Sequence, residues 1–186
     1  VGWFRKPVVL LMAILLLACA IPLFIQNPYI LGILFLVLIN ASLAGGWNII
    51  GGYAGQFSVG NSLFFGIGAY GIAFIYSRFN YSPWYGLILS ALVSVGFALT
   101  VGRLFLRLKE YFFALCTIAA IIVVASLFTH YEKITGGADG ISIPFNPSLA
   151  NLTFASTYGY VGAAFILLML VTLSSFLIKR SKLGFY

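Results

Sequence analysis

Acidic side chains are nearly missing from this sequence. Glu110, Glu132 and Asp139 are the only three in 186 residues, set against ten Lys and Arg, one His and a formal charge of +7. Charged residues make up 7% of the chain and hydrophobic ones 62%, where an ordinary soluble domain carries about 25% and roughly 45–50%. A soluble globular fold is excluded. The scarcity of titratable groups also argues against a membrane-embedded enzyme, because His130, Glu132 and Asp139 share one loop while Glu110 lies on the opposite predicted side. Two cysteines, Cys19 and Cys116, both sit inside apolar runs, which excludes a disulfide framework, a zinc cluster and a CxxC redox pair. No GxxxxGK[ST] occurs, so this chain does not hydrolyse ATP through a P-loop of its own. The basic residues form short clusters between apolar runs, not one continuous face, and nucleic acid is not an expected partner.

What is abundant is uninterrupted hydrocarbon. A helix needs about 20 apolar residues to cross roughly 30 Å of bilayer core, since lipid offers the backbone no hydrogen bonds. Six segments qualify, at about 8 to 25, 29 to 50, 61 to 77, 84 to 102, 111 to 129 and 158 to 178, and none contains Asp, Glu, Lys, Arg or His. The fold class is therefore all-α, a polytopic helical membrane protein. Aromatic residues near the predicted ends, such as Tyr29, Trp47, Trp84, Tyr111 and Tyr158, suit the headgroup boundary. With the N-terminus cytoplasmic, eight basic residues fall inside (Arg5, Lys6, Arg103, Arg107, Lys109, Lys179, Arg180 and Lys182) and only Arg78 and Lys133 outside. The outer side then receives the longest polar stretch, about 130 to 157, long enough for a short helix or a docking surface. Arg5 and Lys6 before Val8 to Ile21 also resemble a secretory signal, and Leu16 to Cys19 a lipoprotein cleavage box. The apolar run continues through Ile25, however, and removing it would place the basic segments on the wrong side.

Several motifs have plain readings. Gly66, Gly68 and Gly71 spell GxGxxG, but inside an apolar span, where small residues serve close helix approach, not a dinucleotide. Ala41 with Gly45 and Gly51 with Gly55 have the same small-residue spacing. His130 and Glu132 have no further ligands at metal-binding spacing. Asn80-Tyr81-Ser82 and Asn151-Leu152-Thr153 are glycosylation sequons to which no role is assigned.

The informative stretch is WNIIGGYAGQFSVGNSLFFGIGAY, Trp47 to Tyr70. Glycines at 51, 52, 55 and 60 interleave with Asn48, Tyr53, Gln56, Ser58 and Asn61 without one charge. Such a sequence is expected to break a helix at membrane depth, and irregular backbone is tolerated there only when covered by protein or lining a watery cavity. The translocation-path candidates are Asn48, Gly51, Gly52, Tyr53, Gly55, Gln56, Ser58 and Asn61. Neutral hydrogen-bonding groups beside freed backbone suit a small polar or zwitterionic solute. The plainer alternative is an interfacial turn among lipid headgroups.

At these residues the chain resembles the LivM branch of the branched-chain amino-acid permeases. Three blocks carry the resemblance: Asn48 to Tyr70, similar to the family's N-x-x-x-G-x-x-G-Q-x-S-x-G run with its trailing F-F-G-I-G-A-Y; Leu106 to Ala119, LRLKEYFFALCTIA; and Thr135 to Ser142, TGGADGIS, similar to the external T-G-G-x-x-G-L/I turn. Asn61 departs from the family's usual His or Gln, and Glu110 from its common Gly. The resemblance implies one transmembrane permease domain over 1–186, apparently a fragment ending before or within the coupling region. It implies a subunit of a binding-protein-dependent ABC importer in the bacterial inner membrane, acting on branched-chain amino acids, or alternatively on urea or short amides. The implied partners are a sister permease, two ABC ATPase subunits and a periplasmic substrate-binding protein, with no cofactor and no metal. Binding-protein docking is expected at Thr135, Gly136, Gly137, Asp139 and Gly140, and an ATPase-facing surface at Arg107, Lys109, Lys179, Arg180 and Lys182. An ion-coupled secondary transporter is the rival class; it ordinarily needs ionisable groups at membrane depth, which these spans lack.

Overall fold

The computed structural model of the chain describes residues 21–53, 55–105 and 107–180. Five of its helices are long and apolar enough to cross a membrane. The expected first span, about 8 to 25, lies outside the described residues except at its end, where Ile21–Phe24 forms a 3-10 turn. The other five expected spans are all present as helices: α1, Pro28–Asn48; α2, Asn61–Phe79; α3, Pro83–Phe97; α4, Glu110–His130; and α5, Thr157–Arg180. No β-strand occurs among the described residues, where the only sheet-like pairing is an isolated antiparallel bridge between Ser148 and Thr153.

Local chemistry sets the helix ends. Asn27 caps α1 by accepting from the Tyr29 N–H at 3.0 Å, and Pro28, which has no N–H to leave unpaired, opens the first turn. Proline plays the same part at Pro83 in α3. Asn80 ends α2 in a left-handed conformation, φ 54°, so that three residues suffice to reverse the chain into α3. Two helices are prolonged by π-helical turns: Ile49–Tyr53 carries α1 past its expected end, and Ala98–Gly102 carries α3 to its expected end near 102, beyond which a short helix follows, Arg103–Phe105. Hydroxyls within the spans are satisfied locally: Ser42, Thr172 and Ser174 each donate to the carbonyl four residues back, at 2.7 to 2.8 Å.

The described residues form two compact units, one made of the chain up to Gly55 together with the chain from Phe154 onward, the other of Gln56–Thr153. In the first unit α1 and α5 run side by side in the same direction. Tyr158 Oη donates to the Ile25 carbonyl at 2.8 Å, Tyr160 meets Phe35 edge-on at 6.2 Å, and Gly45 lies against Val171. Leu31 and Leu38 from α1 fill the seam with Val161, Ala164 and Phe165 from α5. These spacings of three, four and seven keep one stripe of each helix on its partner.

In the second unit α2 and α3 form an antiparallel hairpin held at close range by small residues. A Cβ at Gly71 would lie 2.6 Å from Ser90 Cβ, and one at Gly86 would lie 2.8 Å from Ile72 Cα. By contrast, Gly66 and Gly68 face open space, so the small-residue reading of this motif holds only at Gly71. Helix α4 runs parallel to α2: the Val59 N–H donates to Thr117 Oγ1 at 3.2 Å, and eleven residues further on in each segment Tyr70 packs edge-on against Phe128 at 4.6 Å.

Candidate functional site

The glycine-rich stretch between α1 and α2 does interrupt the helix, but later than its first glycines suggest. Gly51 and Gly52 lie inside the π-helical turn that prolongs α1. This turn starts where the Ile49 N–H reaches both the Gly46 and Trp47 carbonyls, and π-helical widening of this kind recurs at functional positions. Gly51 sits under the Trp47 ring and Gly52 under the Asn48 carboxamide, so their missing side chains leave room for residues of their own helix, not for a neighbour. Tyr53 ends the turn, and Gly55 follows in the left-handed region, φ 65°, which favours glycine. These five path candidates, Asn48 through Gly55, belong to the first unit.

Gln56, Ser58 and Asn61 belong to the second unit. Backbone from Gln56 through Val59 is neither helix nor strand. Ser58 is buried, and its hydroxyl accepts from the Gly60 N–H at 3.2 Å, shaping the turn into α2, whose first residue is Asn61. Gln56 is different. Its Oε1 is buried and has no hydrogen-bond partner among the described residues. A carboxamide oxygen stripped of water without a replacement costs about 1–3 kcal/mol. Burial of one atom on an otherwise half-exposed side chain was not legible in the sequence.

The predicted docking turn is a knot built on Thr135. Its side chain is buried, and the hydroxyl meets the carbonyls of Phe128 and of Tyr131 (2.9 Å) while accepting from the Gly137 N–H at 3.3 Å. Thr135 thus ties the one-turn helix Glu132–Thr135 to the end of α4, a structural part that the sequence motif did not disclose. Gly136, Gly137 and Gly140 all have positive φ, at 76°, 61° and 72°. A side chain at Gly136 would overlap the Gly140 carbonyl, which explains why this turn is written with glycines. Asp139 closes a 3-10 turn and is exposed. The Arg78 guanidinium at the end of α2 donates to the Lys133 carbonyl, and Ser82 Oγ to the Ala150 carbonyl. The end of α2, the start of α3 and the loop after α4 therefore meet at one end of the second unit.

The predicted ATPase-facing residues divide. Arg107 and Lys109 are exposed in the short connection before α4, at the other end of the second unit. Lys179 is exposed near the end of α5, Arg180 is that helix's last residue, and Lys182 lies outside the described residues. No group of three His, Cys, Asp or Glu side chains able to hold a metal ion occurs among the described residues.

The family model described as branched-chain amino acid transport system, permease component, matches residues 29–186. The chain is 31% identical over 150 residues to the high-affinity branched-chain amino acid transport system permease protein LivM of Salmonella typhimurium, an alignment covering 81% of this chain and 35% of that protein. To its Escherichia coli K12 counterpart the identity is 30% over 152 residues, covering 82% and 36%. The chain thus spans about a third of the length of the curated relatives it matches. No solved structure matches significantly.

Proposed function

Because the chain belongs to the family of branched-chain amino acid transport-system permease components, we propose that it is membrane-spanning core of a bacterial ABC importer subunit for branched-chain amino acids. The observation that carries this reading is the family match itself, which runs through all five membrane-length helices and the loops between them. The subunit works in the inner membrane with its N-terminus cytoplasmic, beside a sister permease, two ATPase subunits and a periplasmic binding protein. ATP is hydrolysed in the partners. The loaded binding protein docks on the turn Thr135 to Gly140, the ATPases meet Arg107, Lys109 and Lys179, and the solute passes Asn48 to Gly55 and Gln56, Ser58 and Asn61. The unpartnered Gln56 oxygen supports the last point, since it offers an acceptor to an ammonium or amide donor in transit.

The test is uptake by the full-length permease, co-assembled with its genomic neighbours in proteoliposomes. Leucine uptake that needs ATP and the binding protein and is blocked by vanadate is the expected result. Urea or short-amide uptake in its place would reassign the cargo, and uptake that survives vanadate but collapses with an ionophore would replace the importer by an ion-coupled carrier. In the same complex, Gln56→Cys and Ser58→Cys should react with soluble thiol reagents in a nucleotide-dependent way. Silence at both in every nucleotide state, with Val59→Cys reactive, would remove the stretch from the path.

A further inference from the structure

Inside the second unit, Thr117 fastens the non-helical stretch before α2 to α4. The Thr117 hydroxyl gives its single proton to the Ala114 carbonyl at 2.8 Å, one turn back on its own helix. A lone pair on the same oxygen then takes the Val59 N–H at 3.2 Å. Gly60 completes the contact: a Cβ there would lie 3.6 Å from Thr117 Cβ. Thr117 and Phe113, one turn apart, are buried, whereas most of α4 is exposed.

The bond answers a need of the backbone. Thr117 follows Glu110, the first residue of α4, by about 10 Å of helix rise. An N–H in non-helical backbone at that depth finds no acceptor in lipid, and a hydroxyl whose proton is committed elsewhere supplies one. The base of α4 also leads the other way, to the ATPase-facing residues. The Phe113 N–H donates to the Lys109 carbonyl at 3.0 Å, and Arg107 precedes Lys109 in the same short connection.

From this chain of contacts we propose that Thr117 is a positioning residue that couples ATP hydrolysis to passage of solute: it ties the Gln56–Val59 stretch to the base of α4, so that movement imposed at Arg107 and Lys109 reaches the path. The proposal rests on the importer reading and on the placement of Gln56 and Ser58 in the path. Thr117 touches no solute; it acts through the Val59 backbone. Only a hydroxyl can donate to Ala114 and accept from Val59 at once, which separates its role from that of an apolar side chain of equal volume.

The experiment uses the full-length permease assembled with its partner subunits in proteoliposomes, supplied with binding protein, and measures leucine taken up per ATP hydrolysed. Thr117→Val keeps the shape and removes the hydroxyl; it should lower that ratio roughly three- to tenfold, the shift one hydrogen bond makes in an equilibrium, while ATP hydrolysis persists. Thr117→Ser, which returns the hydroxyl, should return the ratio. On a cysteine-free background, adding Thr117→Val should abolish the nucleotide dependence of thiol labelling at Gln56→Cys. The Cβ separation at Gly60 and Thr117 suits a disulfide, so the pair Gly60→Cys and Thr117→Cys decides the matter even if Thr117→Val fails to assemble. Reduced, the pair should be uncoupled; oxidised, it should regain coupling, because the covalent link replaces the bond. An unchanged ratio in Thr117→Val, with only the yield of assembled complex lowered, would make Thr117 a plain brace and overturn the coupling role. So would Thr117→Ser as uncoupled as Thr117→Val, or an oxidised pair that stays uncoupled, and each would leave the importer standing. Wild type without leucine uptake, or Gln56→Cys silent in every nucleotide state, would instead overturn the importer or path reading beneath it.

Discussion

At the scale of single residues, the docking turn shows how a motif's chemistry and its position separate. Thr135 opens the TGGADG block, and the sequence placed it on a docking surface; the structure buries it and commits its hydroxyl to backbone. Thr135→Val keeps the shape but leaves the buried Gly137 N–H unpaired, which should cost about 1–3 kcal/mol and lower the thermal unfolding midpoint of the purified permease. Asp139, exposed on the same turn, carries no such duty. Asp139→Lys should leave that midpoint unchanged and weaken the stimulation of ATPase activity by binding protein in the reconstituted complex; unchanged stimulation would take Asp139 out of the docking surface. Glycine positions were visible in the sequence, but which of them are obligatory was not. Gly136 faces the Gly140 carbonyl across its own turn and Gly66 faces open space, a difference set by how the backbone folds at each position.

At the scale of elements, the helices follow from apolar length, while their pairing follows from where side chains are small. Gly45 lets α1 approach α5 so closely that a Cβ there would lie 2.8 Å from Val171 Cγ1. Val171 is β-branched on a helix and has little rotamer freedom with which to yield. Gly45→Ala should therefore destabilise the permease by about 1–3 kcal/mol, the usual cost of overpacking, and Val171→Ala in the same chain should recover most of it. A thermal melt of the two single variants and the double variant measures the coupling, and additive losses would place the contact elsewhere. Of the Ala41–Gly45 pair, Gly45 lies in this seam and Ala41 is exposed. The similar Gly51–Gly55 spacing did not behave alike, because Gly51 faces its own Trp47.

At the scale of the whole molecule, the pairings agree with successive helices crossing in alternate directions. Helices α1 and α5 run parallel, as they must if three crossings lie between them, and α2 and α4, separated by one, are parallel as well. Arg78 and Lys133 consequently share one end of the second unit, with Arg107 and Lys109 at the other. In intact cells expressing the full-length protein on a cysteine-free background, Ala138→Cys should react with an impermeant maleimide applied outside, and Leu108→Cys only after permeabilisation. The reverse pattern would invert the topology. The sequence by itself determined that the chain is helical and membrane-spanning, because lipid admits no other backbone solution for runs this apolar and this poor in charge. It also located the glycine-rich interruption, since glycine and neutral polar residues are local signals. Only the tertiary structure decided which helices pair, that Thr135 is a brace, that Gln56 buries an unmatched acceptor, and that Arg78 meets Lys133 across 55 positions of sequence. Those facts depend on the distance between residues far apart in the chain, and distance of that kind has no periodic trace in composition or spacing.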